Sequence, residues 1–304
     1  MSNAGNHLPP FGGREARSSA DGEPAVAVLP VPYDATACYR TGSRLAPAAI
    51  LEASTQVELF DEELAVEPHL AGIETLPAVE PDARGPEYLV AAVKRIAAEQ
   101  LDRGRFLLAL GGEHTISLGC LQAQIERQPD FDVLHLDAHA DLRDTYQNSP
   151  FSHACVMRRV ADHCRVVNVG LRSLSRPEHE FIKARGLQPF SMQVIRRQGD
   201  WLEQLLGRLR PRVYVTIDLD VFDPAVCPGV GTPEPGGLDW YQVTGLLRAV
   251  AENSQIIGAD IVECIPQFNP PQSEFLAARL AVKLIAYRFH GLPAAGPGGK
   301  REES

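Results

Sequence analysis

Short apolar runs that alternate with helical patterns constrain this chain more than any other feature of its sequence. The runs fall at 25–31, 106–110, 132–136, 165–169, 212–217 and 255–262, with weaker ones near Leu70 and Leu187. Helical periodicity covers about 47–58, 86–104, 116–127, 177–185, 200–210, 239–253 and 272–289. Pro47 and Pro86 suit the first position of a helix, and Gly104 suits the end of one. Alternation at this spacing predicts βαβ units and a largely parallel sheet, hence an α/β fold. Nothing marks a second core, so residues 23–292 read as one domain. The Gly-, Pro- and Ser-rich segments 1–22 and 293–304 read as flexible tails.

Composition narrows the function classes. The chain has 304 residues, 44% hydrophobic and 22% charged, ordinary for a globular protein with a sizeable core. Acidic side chains outnumber basic ones by 39 to 29, and no basic stripe appears, which argues against a nucleic-acid partner. No apolar run approaches the ~18–20 residues that span a bilayer. The first 22 residues hold no apolar core of a secretory signal, so the expected location is the cytoplasm. Six cysteines without a C-x-x-C pair read as reduced and structural.

Acidic and imidazole side chains collect where the predicted strands end. After 106–110 comes Gly111-Gly112-Glu113-His114, and after 132–136 comes Asp137-Ala138-His139-Ala140-Asp141. Asp218-Leu219-Asp220 follows 212–217, and Glu263 follows 255–262. In an open parallel sheet the ligand crevice lies outside the carboxyl ends of the strands. Residues two apart share a face of extended chain, so Asp137, His139 and Asp141 are expected to converge, as are Asp218 and Asp220. Four carboxylates and two imidazoles, with no thiolate, make a hard donor set that suits Mn²⁺ better than structural zinc. Six ligands exceed the needs of one ion with an open position but suit two ions sharing carboxylates. Two such ions roughly 3.5 Å apart can hold a bridging hydroxide as nucleophile. His135 shares the alternation of Asp137, and for it a core or supporting role competes with ligation.

These residues resemble the ureohydrolase, or arginase/agmatinase, family almost end to end, from the segment 31–42 to Glu263. Three motifs carry the resemblance: the GGEH segment, DAHAD, and the D-x-D-x-x-D-P stretch from Asp218 with its Pro- and Gly-rich continuation to Gly237. The resemblance implies a three-layer α/β/α fold around an eight-stranded parallel sheet, assembled as homo-trimers or hexamers. It also implies two Mn²⁺ ions per subunit and hydrolysis of a guanidinium group to urea and an amine. By the same resemblance, His114, Asp137, Asp141 and Asp218 would hold one ion. His139, Asp137, Asp218 and Asp220 would hold the other. Glu263 matches the glutamate that pairs with the substrate guanidinium, and His153 the histidine that passes a proton to the leaving amine.

Substrate choice rests on finer wording. Arginases carry acids in a GLRD-type loop, where this chain has Gly170-Leu171-Arg172-Ser173-Leu174-Ser175. They commonly place an Asn two residues past the last DAHxD ligand, where this chain has Arg143. Arg143 would bind an anion or close an ion pair with Asp144. The segments 33–40, 141–144 and 152–159 look more like bacterial agmatinases, so the expected reaction is agmatine to putrescine and urea. Aminopropylagmatine, guanidinobutyrate and arginine are the rival substrates. A non-catalytic metal-binding relative and a one-zinc deacetylase of the same fold are the readings from other classes.

Overall fold

Hydrophobic side chains leave the sheet on both faces, and this decides the layering. The computed structural model describes residues 8–13, 16 and 22–290. The first half of the chain runs β1 (Val26–Val31), α1 (Ala46–Ser54), β2 (Ile73–Thr75), α2 (Pro86–Asp102), β3 (Phe106–Gly111), α3 (Thr115–Arg127) and β4 (Asp132–Leu136). Then follow α4 (Val156–Val160), β5 (Arg165–Val169), α5 (Arg176–Arg185), α6 (Met192–Arg197) and α7 (Trp201–Leu206). The remainder is β6 (Arg212–Asp218), α8 (Trp240–Asn253), β7 (Gln255–Val262) and α9 (Gln272–His290).

All strand pairs are parallel, in the order β2-β1-β3-β7-β6-β4-β5. Val26 and Val28 of β1 join one buried cluster with Ile50 and Leu51 of α1, Leu246 and Leu247 of α8, and Leu284 of α9. Ala27 and Leu29, the alternate residues, join a second cluster with Leu89 and Val93 of α2 and Ile116 and Leu121 of α3. The strands are therefore apolar on both faces, as a sheet covered by helices on both sides requires. Burying one such leucine contributes about 1.5–3 kcal/mol.

The expectation of eight strands is corrected to seven among the described residues. Near Leu187 the chain makes only one parallel bridge, Val169 to Phe190, at the free edge of β5. Phe190 pairs there through both its N–H, to the Asn168 carbonyl, and its C=O, to the Gly170 N–H, but Ser191 then caps α6 by accepting from Val194 N and the chain turns into that helix. The weak run near Leu70 is a 3₁₀ turn over Pro68–Ala71 that leads into β2. Within the segment read as an N-terminal tail, Phe11 is buried and its N–H donates to Thr75 Oγ1. Residues 1–7, 14–15, 17–21 and 291–304 lie outside the described residues.

Local chemistry sets the helix ends that matter for the site. Ser175 and Glu178 form a reciprocal capping box on α5, and Gly186 closes that helix at φ 63°. After β3, a Cβ on Gly112 would stand 1.9 Å from the Tyr33 carbonyl oxygen, so only glycine fits there. That close approach brings the 33–40 loop over the end of β3.

Candidate active site

Strands β3, β7, β6 and β4 are consecutive in the sheet, so the four loops that leave their carboxyl ends are neighbours. His114 follows β3 and precedes α3; Asp218 ends β6, and Asp220 sits in the 3₁₀ turn Leu219–Val221. Glu263 is the first residue after β7. Asp137, His139 and Asp141 do converge, but not as extended chain. They lie on the loop after β4, and Asp141 takes φ 52°. Glu263 is also in the left-handed region, at φ 64°. A non-glycine residue held there costs on the order of 1–3 kcal/mol, so the surrounding structure enforces both conformations.

Two groups of donors result. His114 Nδ1 lies 3.1 Å from Asp141 Oδ2, 3.3 Å from Asp137 Oδ2 and 3.5 Å from Asp218 Oδ2. His139 Nδ1 lies 2.9 Å from Asp220 Oδ2 and 3.5 Å from Asp137 Oδ1. Asp137 thus faces each group with a different oxygen. Asp218 Oδ1 instead accepts the Asp220 N–H at 2.9 Å.

The residues fit a bound cation pair. His114 Nδ1 is buried without a hydrogen-bond partner. Its other nitrogen, Nε2, is 2.9 Å from Thr216 Oγ1, and that hydroxyl donates to Asp260 Oδ1 at 2.6 Å. The hydroxyl hydrogen being spent on Asp260, Thr216 accepts from Nε2–H and the Nδ1 lone pair points at three carboxylates. Burial and the carboxylates of Asp220 and Asp137 hold Asp218 well above the usual carboxylate range. Such mutual repulsion is relieved by positive charge.

His135 is resolved by its neighbours. Asn168 Nδ2 donates to the His139 carbonyl at 3.0 Å and lies 3.0 Å from His135 Nδ1. His135 Nδ1 is then an acceptor, and Nε2–H donates to Asp137 Oδ2 at 2.7 Å. A protonated Nε2 cannot ligate, so His135 orients Asp137 instead.

A cavity of about 280 Å³ opens over these groups, with His114, His139, Asp141, Asp218, Glu263 and His153 among its walls. Glu263 Oε1 accepts the His114 N–H at 2.7 Å. Burial lifts its carboxyl to about 7, against the pull of His153. Burial disfavours the charged form of His153, yet the Cys38 thiol and the carboxylates of Glu263, Asp141 and Glu113 outweigh it and raise the ring to about 9. Arg143 does not pair with Asp144, which Arg159 and Arg158 occupy. The Arg143 guanidinium stands 4.8 Å over the Tyr146 ring and its Nε 3.9 Å from Glu178 Oε2, on the wall of the cavity. Sequence pattern alone gives no signal for Thr36, Cys38 or Asn168 and no role for Glu113. Only the likeness of segment 33–40 to agmatinases and the GGEH motif signalled any of them.

The arginase family model matches residues 24–286. The chain belongs to the arginase family. It is 38% identical over 271 residues to the N(1)-aminopropylagmatine ureohydrolase of Synechocystis, covering 86% of this chain and 89% of that protein. The agmatinase of Bacillus anthracis is 35% identical over 270 residues, covering 86% of this chain and 90% of the relative. Among solved structures, the agmatine ureohydrolase of Thermoplasma volcanium superposes with a TM-score of 0.83 at 31% identity, covering 93% of this chain and 94% of that one. This arginase-family ureohydrolase is a hydrolase of carbon–nitrogen bonds in guanidino compounds. Its family works with two bound metal ions, and its buried His/Asp cluster accords with that. No helix among its described residues is long and apolar enough to cross a membrane.

Proposed function

We propose that this ureohydrolase releases urea from agmatine, leaving putrescine, with two Mn²⁺ ions bound per chain. One observation carries the reading: members of both donor groups (His114, Asp141 and Asp218 of one, His139 of the other) line a single cavity with Glu263 and His153. His114, Asp137, Asp141 and Asp218 would hold one ion; His139, Asp137, Asp218 and Asp220 would hold the other. When bound, the pair supplies Lewis acidity and a nucleophilic water ionised at neutral pH. The oxygen-rich donor set favours manganese over zinc.

The remaining steps belong to the chain's own side chains. Glu263 is fixed through Oε1 by the His114 amide, which leaves Oε2 to take an N–H of the flat guanidinium. That contact sets the guanidinium carbon over the His/Asp cluster. His153, on the wall of the same cavity, gives a proton to the departing amine nitrogen.

Arginine fits less well. Ser173 and Ser175 line the cavity where arginases present acids. Glu178, the nearest buried carboxylate on that side, is spent on the Leu142 and Ser175 N–H groups at 3.1 and 2.8 Å. The acids that mark the arginase loop are therefore missing at this end of the cavity. A second reading, aminopropylagmatine, is favoured by the relative at 38% identity and by the exposed Tyr39 and Leu174 on the cavity wall, where a longer amine tail would pass.

Urea release by Mn²⁺-loaded protein across agmatine, aminopropylagmatine, guanidinobutyrate and arginine tests the reading. One of the two amines is expected to exceed arginine at least tenfold in kcat/KM, with all turnover lost to a chelator. Preference for arginine or for the acid would overturn the substrate assignment. Two metals bound and no urea from any compound would favour a non-catalytic relative.

Metal binding should also stabilise the fold. Ions that bind only the native state add about 2.7 kcal/mol when free metal is a hundred times Kd. For a domain of this size that is a rise of roughly 5–10 °C in Tm. Differential scanning fluorimetry with and without EDTA reads it directly, and an unchanged Tm would contradict the ligand set.

A further inference from the structure

Thr36 links the histidine proposed as proton donor to a carboxylate that the mechanism so far leaves idle. Its Oγ1 is 2.7 Å from Glu113 Oε1 and 3.0 Å from His153 Nδ1. The same oxygen accepts the His153 backbone N–H at 3.2 Å. The Thr36 backbone N–H donates to Glu113 Oε2 at 2.7 Å. Glu113 has no exposed surface and belongs to neither donor group.

Counting protons gives the direction of each bond. A hydroxyl has one hydrogen and two acceptor lone pairs. The shortest contact of Thr36 is with a carboxylate oxygen, and a charge-assisted bond takes the hydrogen. The two lone pairs then accept the His153 amide N–H and the ring Nδ1–H. Glu113 is satisfied on both oxygens by one residue, so it fixes the Thr36 hydroxyl in one orientation. Ser152 Oγ is the competing partner of Nδ1, but it is longer at 3.3 Å.

We propose that Glu113 and Thr36 are positioning residues for His153. They hold its ring by Nδ1–H and commit Nε2 to carrying the proton that goes to the leaving amine. A carboxylate that orients an imidazole through its Nδ1–H works in the same way in hydrolytic triads. Here a hydroxyl stands between the two, joining three chain segments: the loop before α1, the end of β3 and the start of the 3₁₀ turn His153–Cys155. The inference rests on the reading of His153 as proton donor. Glu113 adjoins His114, so its replacement would disturb the donor cluster, and Thr36 is the cleaner probe.

The test compares Thr36→Val, Thr36→Ser and His153→Asn as metal-loaded full-length proteins on the best substrate of the panel. The valine protein is expected to lose about 10–100-fold in kcat, with KM within about twofold and metal content unchanged. Serine, which keeps the hydroxyl, should restore most of that loss. Equal losses in the serine and valine proteins, or a loss that appears in KM or metal content, would overturn the inference and leave Thr36 a packing residue. A valine protein as active as wild type would overturn it too. If valine does not fold, as judged by Tm, Thr36→Ala takes its place with the same expected ratios. The His153→Asn protein separates the two failures. Activity within about threefold of wild type there removes the proton-donor reading and this inference with it. A loss above about a hundredfold there, beside an active Thr36→Val protein, removes only the positioning role.

Discussion

An Asp137→Asn protein is expected to retain less than half its metal and to release urea at least about a thousandfold more slowly than wild type. Asp137 is buried and faces His114 Nδ1 with one oxygen and His139 Nδ1 with the other, at 3.3 and 3.5 Å. Its two oxygens therefore face the two donor groups separately. Asparagine keeps the shape but turns one oxygen into a donor and removes the negative charge. A truncated partner in a buried charged contact costs about 2–5 kcal/mol, and here each ion would lose one. Metal analysis of the dialysed protein and a urea assay read the two effects. Two ions per chain with activity within tenfold of wild type would sink the assignment of Asp137 as a shared ligand.

Glu263→Gln should behave differently: metal retained, and kcat/KM lower by roughly 10²–10³, or about 3–4 kcal/mol. The glutamine can still accept the His114 N–H with its side-chain oxygen, so His114 stays in place. The backbone at φ 64° is held by the Glu263 N–H donating to the Gly112 carbonyl at 2.7 Å, which the substitution leaves intact. What disappears is the charge that a guanidinium would meet, in a buried setting where a charge-assisted hydrogen bond is strong. Retention of kcat/KM within tenfold, with two metals bound, would show that the guanidinium is gripped elsewhere.

Much of this architecture was legible in the residues because its signals are local. The runs at 106–110 and 132–136 became β3 and β4, since continuous apolar stretches suit a sheet buried on both faces. The polar groups after four strands pointed to one edge, and the sheet order places them side by side. Asp137, His139 and Asp141 converge as alternation predicts, but by a different geometry. A loop with Asp141 at φ 52°, not extended chain, brings them together. Periodicity cannot see such a turn. Nor can it see pairings across distant segments, which is why Thr36 with Glu113 and Asn168 with His135 escaped notice. The eighth strand failed because the chain turns into α6 at Met192, directly after the single bridge at Phe190.

Protein synthesis meets this sheet in an awkward order. The two half-sheets β2-β1-β3 and β6-β4-β5 are joined only by β7, the last of the described strands to leave the ribosome. Until residues 255–262 emerge, β3 and β6 both present bare edges whose N–H and C=O groups can pair with another nascent chain. Between the completion of β6 and the arrival of β7 the growing polypeptide is therefore two unsealed pieces, the kind of state in which chaperones find clients. Glu263 is added directly behind the strand that seals them, so a ribosome stalled before β7 holds neither a closed sheet nor a guanidinium clamp.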